Sequence, residues 1–251
     1  VFGNGMLLSK QIRLIAAFDH RDIFIDPDPA DPERTWEERK RLFELPRSSW
    51  QDYDQSLISK GGGVFSRAAK SIALTDEIRA LTGLTGKSAA PGDLIQALLK
   101  ADSELVWFGG IGTYVKASHE QNWEVGDKAN DALRINAEEL GASVVGEGAN
   151  LGMTQAARIE FAQAGGRVNA DFVDNSAGVD SSDHEVNIKI LLNPMMREGR
   201  MDLAERNALL ESMTENVARH VLEHNYDQTL ALTIAREHAE EDLDAHERMM
   251  E

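Results

Sequence analysis

Cysteine is missing from the 251 residues, which excludes a disulfide framework, a thiol nucleophile and a thiolate metal site and agrees with a reducing compartment. No apolar run approaches the 18 residues a membrane-spanning helix needs, and the N-terminal stretch lacks a basic segment followed by an apolar one. Positive charge is scarce as well. With 26 Lys and Arg against 43 Asp and Glu the formal charge is −17, so no basic face is expected for nucleic acid or an anionic membrane, and any phosphate must be held by backbone N–H groups. Together these features predict a cytoplasmic protein. What remains, 42% hydrophobic and 27% charged residues, suits one sizeable α/β core with an appendage.

The pattern sharpens between residues 143 and 185. Ser143-Val144-Val145 is a short β-prone run that leaves through Gly146-Glu147-Gly148-Ala149-Asn150, a turn that glycine permits. Thr154 caps a helix with Ala156, Ala157, Ile159 and Phe161 on its apolar side, and Gly165-Gly166 closes it. A second strand is expected over 167–173, ending in a turn at Asp174-Asn175-Ser176-Ala177-Gly178-Val179. Two strands thus end in small-residue turns one βαβ unit apart, where open α/β sheets bind ligands. Earlier in the chain, strands are expected at 14–18 and 104–108, the latter leaving through Gly109-Gly110-Ile111-Gly112-Thr113. Helices are expected after Thr75, from Pro91 and over 130–141. This alternation predicts a Rossmann-like, doubly wound, mostly parallel sheet over 1–193, with 26–70 as an insertion and a helical segment over 194–251. Four of the six prolines fall in residues 26–60. Gly61-Gly62-Gly63 lacks a preceding apolar strand and a following helix start, so it reads as a flexible turn.

Glu147-Gly148-Ala149-Asn150, and Asn175-Ser176-Ala177-Gly178-Val179 followed by Ser182, resemble the paired signatures in the cofactor domain of glutamate dehydrogenases. HRDIFIDP and WFGGIGTYVKA resemble the large NAD-specific bacterial branch. The resemblance implies NAD as cofactor and oxidative deamination of L-glutamate to 2-oxoglutarate and ammonium. By the same resemblance Asn150 and Asn175 bond to the nicotinamide-side ribose and carboxamide. Glu147, Gly148, Ala149, Ala177 and Gly178 bring backbone close to the cofactor, and Gly110, Ile111 and Gly112 border its adenosine side. Val179 and Ser182 border the substrate, with Ser182 donating to its distal carboxylate. Alanine at Ala177 and serine at Ser176 depart from the pattern of the smaller enzymes.

Gly3-Asn4-Gly5 resembles the family's G-x-G-N fingerprint. Only eight residues separate Gly5 from Leu14, so the first strand and most of its glycine loop are expected before Val1. Asp19 ends the 14–18 strand and is a candidate acceptor for the adenosine ribose, favouring NAD over NADP; its alternative role is to cap a turn. The family's proton-transfer lysine and aspartate belong to a separate substrate domain that no motif here resembles, so this chain alone is expected to be almost inactive, with the rest of the polypeptide and further copies as partners. Two alternatives stay open: a dehydrogenase for leucine, valine or phenylalanine, which Ser182 disfavours, and a regulatory or assembly module without NAD. Catalytic residues and metal ligands are not assigned. His220 and His224 are four apart but lack an evident third ligand, so they read as surface histidines.

Overall fold

The structure, a computed structural model, describes residues 6–110 and 112–250. The chain divides into two units, 1–171 and 172–251, so the boundary expected at 193/194 falls inside a helix.

The first unit opens with β1 (Ala16–Phe18) and β2 (Asp22–Ile25), an antiparallel pair. The carboxylate of Asp19 makes the turn between them, its Oδ1 accepting the N–H of Arg21 at 2.7 Å and of Asp22 at 2.9 Å. Alternation along β2 sends Ile23 and Ile25 into the main core and Phe24 into a smaller one with Leu42, Trp50 and Tyr53. α1 (Pro32–Glu44) follows, started by Asp31, whose side chain accepts the N–H of Arg34, and by proline in the first turn. β3 (Gly63–Ser66) returns to pair antiparallel with β2. Residues 26–70, expected as an insertion, are therefore tied into this small sheet: Trp50 is fully buried and stacks on Phe24 at 4.6 Å.

Beyond it come β4 (Ile72–Ala73), α2 (Asp76–Thr82), β5 (Ser88–Ala89) and α3 (Pro91–Lys100), with β4 and β5 antiparallel. Thr75 caps α2, the helix expected after it, and Gly83 ends it in the left-handed conformation. β6 (Ser103–Phe108), β7 (Val115–Lys116), α4 (Asn122–Val125), β8 (Ile135–Asn136), β9 (Ala142–Glu147), α5 (Gln155–Gln163) and β10 (Arg167–Val168) complete the unit. β9 lies between β6 and β10, parallel to both, and β7 pairs in parallel with β8.

This overturns the doubly wound sheet. Helix makes up 51% and strand 14%, and among the described residues the strands form four small separate sheets of two or three strands with no continuous parallel sheet. Two local causes are visible. The 14–18 run turns straight back at Asp19 into HRDIFIDP, so β1 belongs to an antiparallel hairpin. The helix expected over 130–141 is replaced by the short strand β8 between two 3-10 turns, because the buried Arg134 reaches outward to the carbonyls of Thr113 and Asp127 and to the Asp131 carboxylate. Those partners hold the backbone out of a helix, and Asn136 with Glu139 forms a capping box that starts only a single turn.

The second unit is helical: α6 (Asp171–Asp174, at the boundary), α7 (Ser176–Arg197), α8 (Leu203–Glu237) and α9 (Leu243–Met250). The strand expected to reach residue 173 ends at Val168. Pro194 sits inside α7. α8 is one helix of 35 residues within the segment expected to be helical, and an Asp202–Glu205 capping box starts it. α7 and α8 pack antiparallel, as the cross-links Ser176–Asn225 and Asp180–His224 require. Among the described residues no helix is long and apolar enough to cross a membrane.

Candidate functional site at the ends of β6 and β9

β6 and β9 end together, Phe108 standing opposite Glu147, so the turns beyond them emerge side by side at the carboxyl ends of two parallel strands. The backbone stitches them to each other. Ala149 N–H donates to the Phe108 carbonyl at 2.9 Å, Tyr114 N–H donates to the Gly152 carbonyl at 2.9 Å, and Met153 bridges to Val115. Thr113 N–H donates at 2.9 Å to the Asp127 carboxylate, which also accepts from the Asn130 amide at 2.7 Å. Burial pushes the Asp127 carboxyl up, but the bonds from Asn130 and Thr113 and the nearby Arg134 charge outweigh it and hold its pKa below the ordinary value. Gly109, Gly110 and Asn150 stay exposed at the rim.

The turn after β9 is fixed from beneath. Glu147 is fully buried and takes Arg158 in a two-pronged ion pair, Nε to Oε1 at 2.7 Å and the terminal nitrogen to Oε2 at 3.0 Å. Its Oε2 also accepts the Gly152 N–H at 2.8 Å. Glu147, a cofactor candidate by resemblance, thus points into the protein and shapes the turn. The available signal was Arg158, a charge on the otherwise apolar side of α5. Leu151 adopts φ 65, and its N–H donates to Asp171 at 2.8 Å; a left-handed Leu is strained and persists only where neighbours fix it. A Cβ on Gly148 would lie 2.5 Å from the Trp107 ring, so glycine there is required by the indole that packs over the strand exit.

The other signature lies in the second unit, and the turn expected around Asn175 is instead a helix start. Asn175 precedes α7, its carbonyl accepting the Gly178 N–H at 3.1 Å. Ala177 and Gly178 are in the first turn. Val179 and Ser182, three apart and both exposed, share one face of α7. Asp19, whose carboxylate closes the β1–β2 turn, has the capping geometry that was its alternative role. Gly3, Asn4, Gly5 and Ile111 lie outside the described residues. A cleft of about 260 Å³ is lined by Ala142, Ser143, Gly165 and Gly166, at the amino ends of β9 and β10 and away from the glycine turns. His224, read as a surface histidine without an evident third ligand, stands beside His184 and Asp180 of α7.

Residues 1–235 match the family described as bacterial NAD-glutamate dehydrogenase, catalytic domain. The chain is 57% identical over its whole length to the NAD-specific glutamate dehydrogenase of Pseudomonas aeruginosa, covering 15% of that protein. It is 55% identical to the proteins of the same name from Mycobacterium tuberculosis, over 98% of this chain and 16% of the relative, and from Halomonas elongata, over 94% and 14%. The chain spans about one sixth of the length of these curated relatives. With nearly all of its residues inside the family match, and with the paired signatures in place, the chain belongs to the bacterial NAD-glutamate dehydrogenase family and corresponds to part of its catalytic domain.

Proposed function

We propose that this chain is the NAD-handling portion of a glutamate dehydrogenase that oxidatively deaminates L-glutamate to 2-oxoglutarate and ammonium. The observation that carries the reading is the pair of backbone-exposing turns at the adjoining ends of β6 and β9, one bearing Gly148-Ala149-Asn150. Bound NAD supplies the hydride acceptor, and the protein's task is to hold reactants in position and exclude water. In a chain of formal charge −17, backbone N–H groups suit the cofactor's phosphates better than any side chain does, and the segment bearing Gly110 and Gly112 borders the adenosine side. The exposed Asn150 and the half-exposed Trp107 ring offer an amide and a flat apolar surface to the nicotinamide end. The second signature contributes Asn175, Ala177 and Gly178 to the cofactor and Val179 and Ser182 to the substrate, the Ser182 hydroxyl donating to the distal carboxylate of glutamate. That donor favours glutamate over an apolar amino acid. Proton transfer falls to residues that no motif of this chain supplies, and the enzyme works in the cytoplasm as a homo-oligomer.

NADH and NADPH titrated against the chain, read by energy transfer from tryptophan, test the cofactor part. NADH binding that weakens severalfold in Asn150→Ala is expected, and equal affinity in the two proteins would overturn the placement. Turnover of the chain alone should fall about 10²–10⁴-fold below that of the Pseudomonas aeruginosa relative, the usual contribution of a proton-transfer group. Comparable turnover would show that such a group lies within these residues.

A further inference from the structure

We infer that Asp180, His184 and His224 form a site for a transition-metal ion of the zinc class that clamps α7 to α8. Each helix offers a pair of residues four apart, Asp180 with His184 and His220 with His224, and such pairs project from one face of a helix toward a facing one. One ligand atom from each of Asp180, His184 and His224 can be chosen so that all lie within 4.8 Å of one another. His224 Nδ1 is 2.8 Å from one Asp180 oxygen, and His184 Nε2 is 3.7 Å from the other. His220 stands beside this group, its ring centroid 6.0 Å from that of His184 and 6.4 Å from that of His224. Imidazoles converging on one ion at about 2.0–2.1 Å have centroids roughly 5 Å apart, so the rings of His184 and His224, 6.2 Å apart, draw together when the ion binds.

A second, independent observation points the same way. His184 Nε2 is shut off from solvent and makes no hydrogen bond, since 3.7 Å is too long for one. A buried polar atom without a partner is costly, and a metal ion at this point satisfies it. The donor set selects the ion. Imidazole nitrogen with one carboxylate suits zinc, cobalt, nickel or copper, whereas magnesium and calcium take oxygen ligands. The unit has use for such a clamp, because among its described residues the buried apolar side chains are only Val173, Leu192 and Val221. Metal coordination commonly fixes helices that bury too little to fix themselves. Val179 and Ser182 lie elsewhere around α7 and remain open when the ion is bound.

The test uses the untagged, chelator-treated 251-residue chain titrated with Co²⁺, followed by Zn²⁺ competition and thermal unfolding read by helical circular dichroism. One equivalent of Co²⁺ giving a visible d–d band, displaced by Zn²⁺ and accompanied by a raised Tm that Mg²⁺ does not produce, is the expected result. His184→Ala should weaken binding more than about 100-fold, the upper end of what an outer-shell partner costs, while His119→Ala, an exposed histidine of the first unit, leaves it unchanged. The double variant Asp180→Asn, His224→Ala gives the same reading should His184→Ala lose its helical signal. Absence of a band at millimolar Co²⁺, an equal response to Mg²⁺, or undiminished binding in the folded variants overturns the site.

Discussion

Residues 1–171 and 172–251 handle apolar surface in opposite ways. In the first unit the main cluster runs from Ile23 through Leu94 and Val145 to Phe161, with most members under 5% exposed, and a smaller one surrounds Phe24 and Trp50. In the second, Ile190, Leu191, Leu222 and Tyr226 are each more than 65% exposed, and the helices meet through a polar seam of Ser176, Asp180, His184, His224 and Asn225. Propensity and capping suffice to start α8, but a helix about 50 Å long with apolar residues on several sides has no single face to bury. The first unit is thus held by its own interior, and the second by polar contacts along one seam.

Substitutions probe that contrast most strongly where the first unit buries charge. Arg158→Ala strands the Glu147 carboxylate at a site with no solvent access and should cost about 3–5 kcal/mol in chemical denaturation. A loss below 1 kcal/mol would mean the turn after β9 is not anchored by this pair. Gly148→Ala drives a Cβ into the Trp107 ring and should cost about 1–3 kcal/mol, with much of the loss recovered in the Gly148→Ala, Trp107→Ala double variant; failure of that recovery would assign the glycine to another constraint. At the small end, Leu222→Ala on α8 should stay within about 0.5 kcal/mol, as exposed positions do. A multi-kilocalorie loss there would show Leu222 covered in solution and erase the difference between the units.

Short-range features were readable from the sequence because they depend on a few neighbouring residues. Thr75 and Thr154 cap the helices predicted for them, Gly83 and Gly165 take positive φ at their ends, and the 104–108 and 143–145 runs are strands of one parallel sheet. The sheet as a whole was not readable. Nothing in Leu14 to Phe18 distinguishes a central parallel strand from one arm of a hairpin until the turn at Asp19 is seen to fold back. The 130–141 segment has helical periodicity, yet Arg134 lies outside a helix with partners in Asp127, just before the segment, and in Thr113, 21 residues back. The same limit applies to the histidines, since His184 and His224 are forty residues apart and only the pairing of α7 with α8 brings them together.

The order of residues alone settled the family, because the GEGAN turn and the Asn175–Ser182 segment keep their identities and spacing whatever sheet surrounds them. It also set which turns expose backbone, since glycine and asparagine tolerate conformations other residues resist. Tertiary structure decided the direction in which each side chain faces. Glu147 turned inward because Arg158 of the following helix meets it in the interior, a pairing that local propensity does not encode. Asp19 and Asn175 bond within three residues, and only the fold shows that those bonds close a hairpin and start a helix.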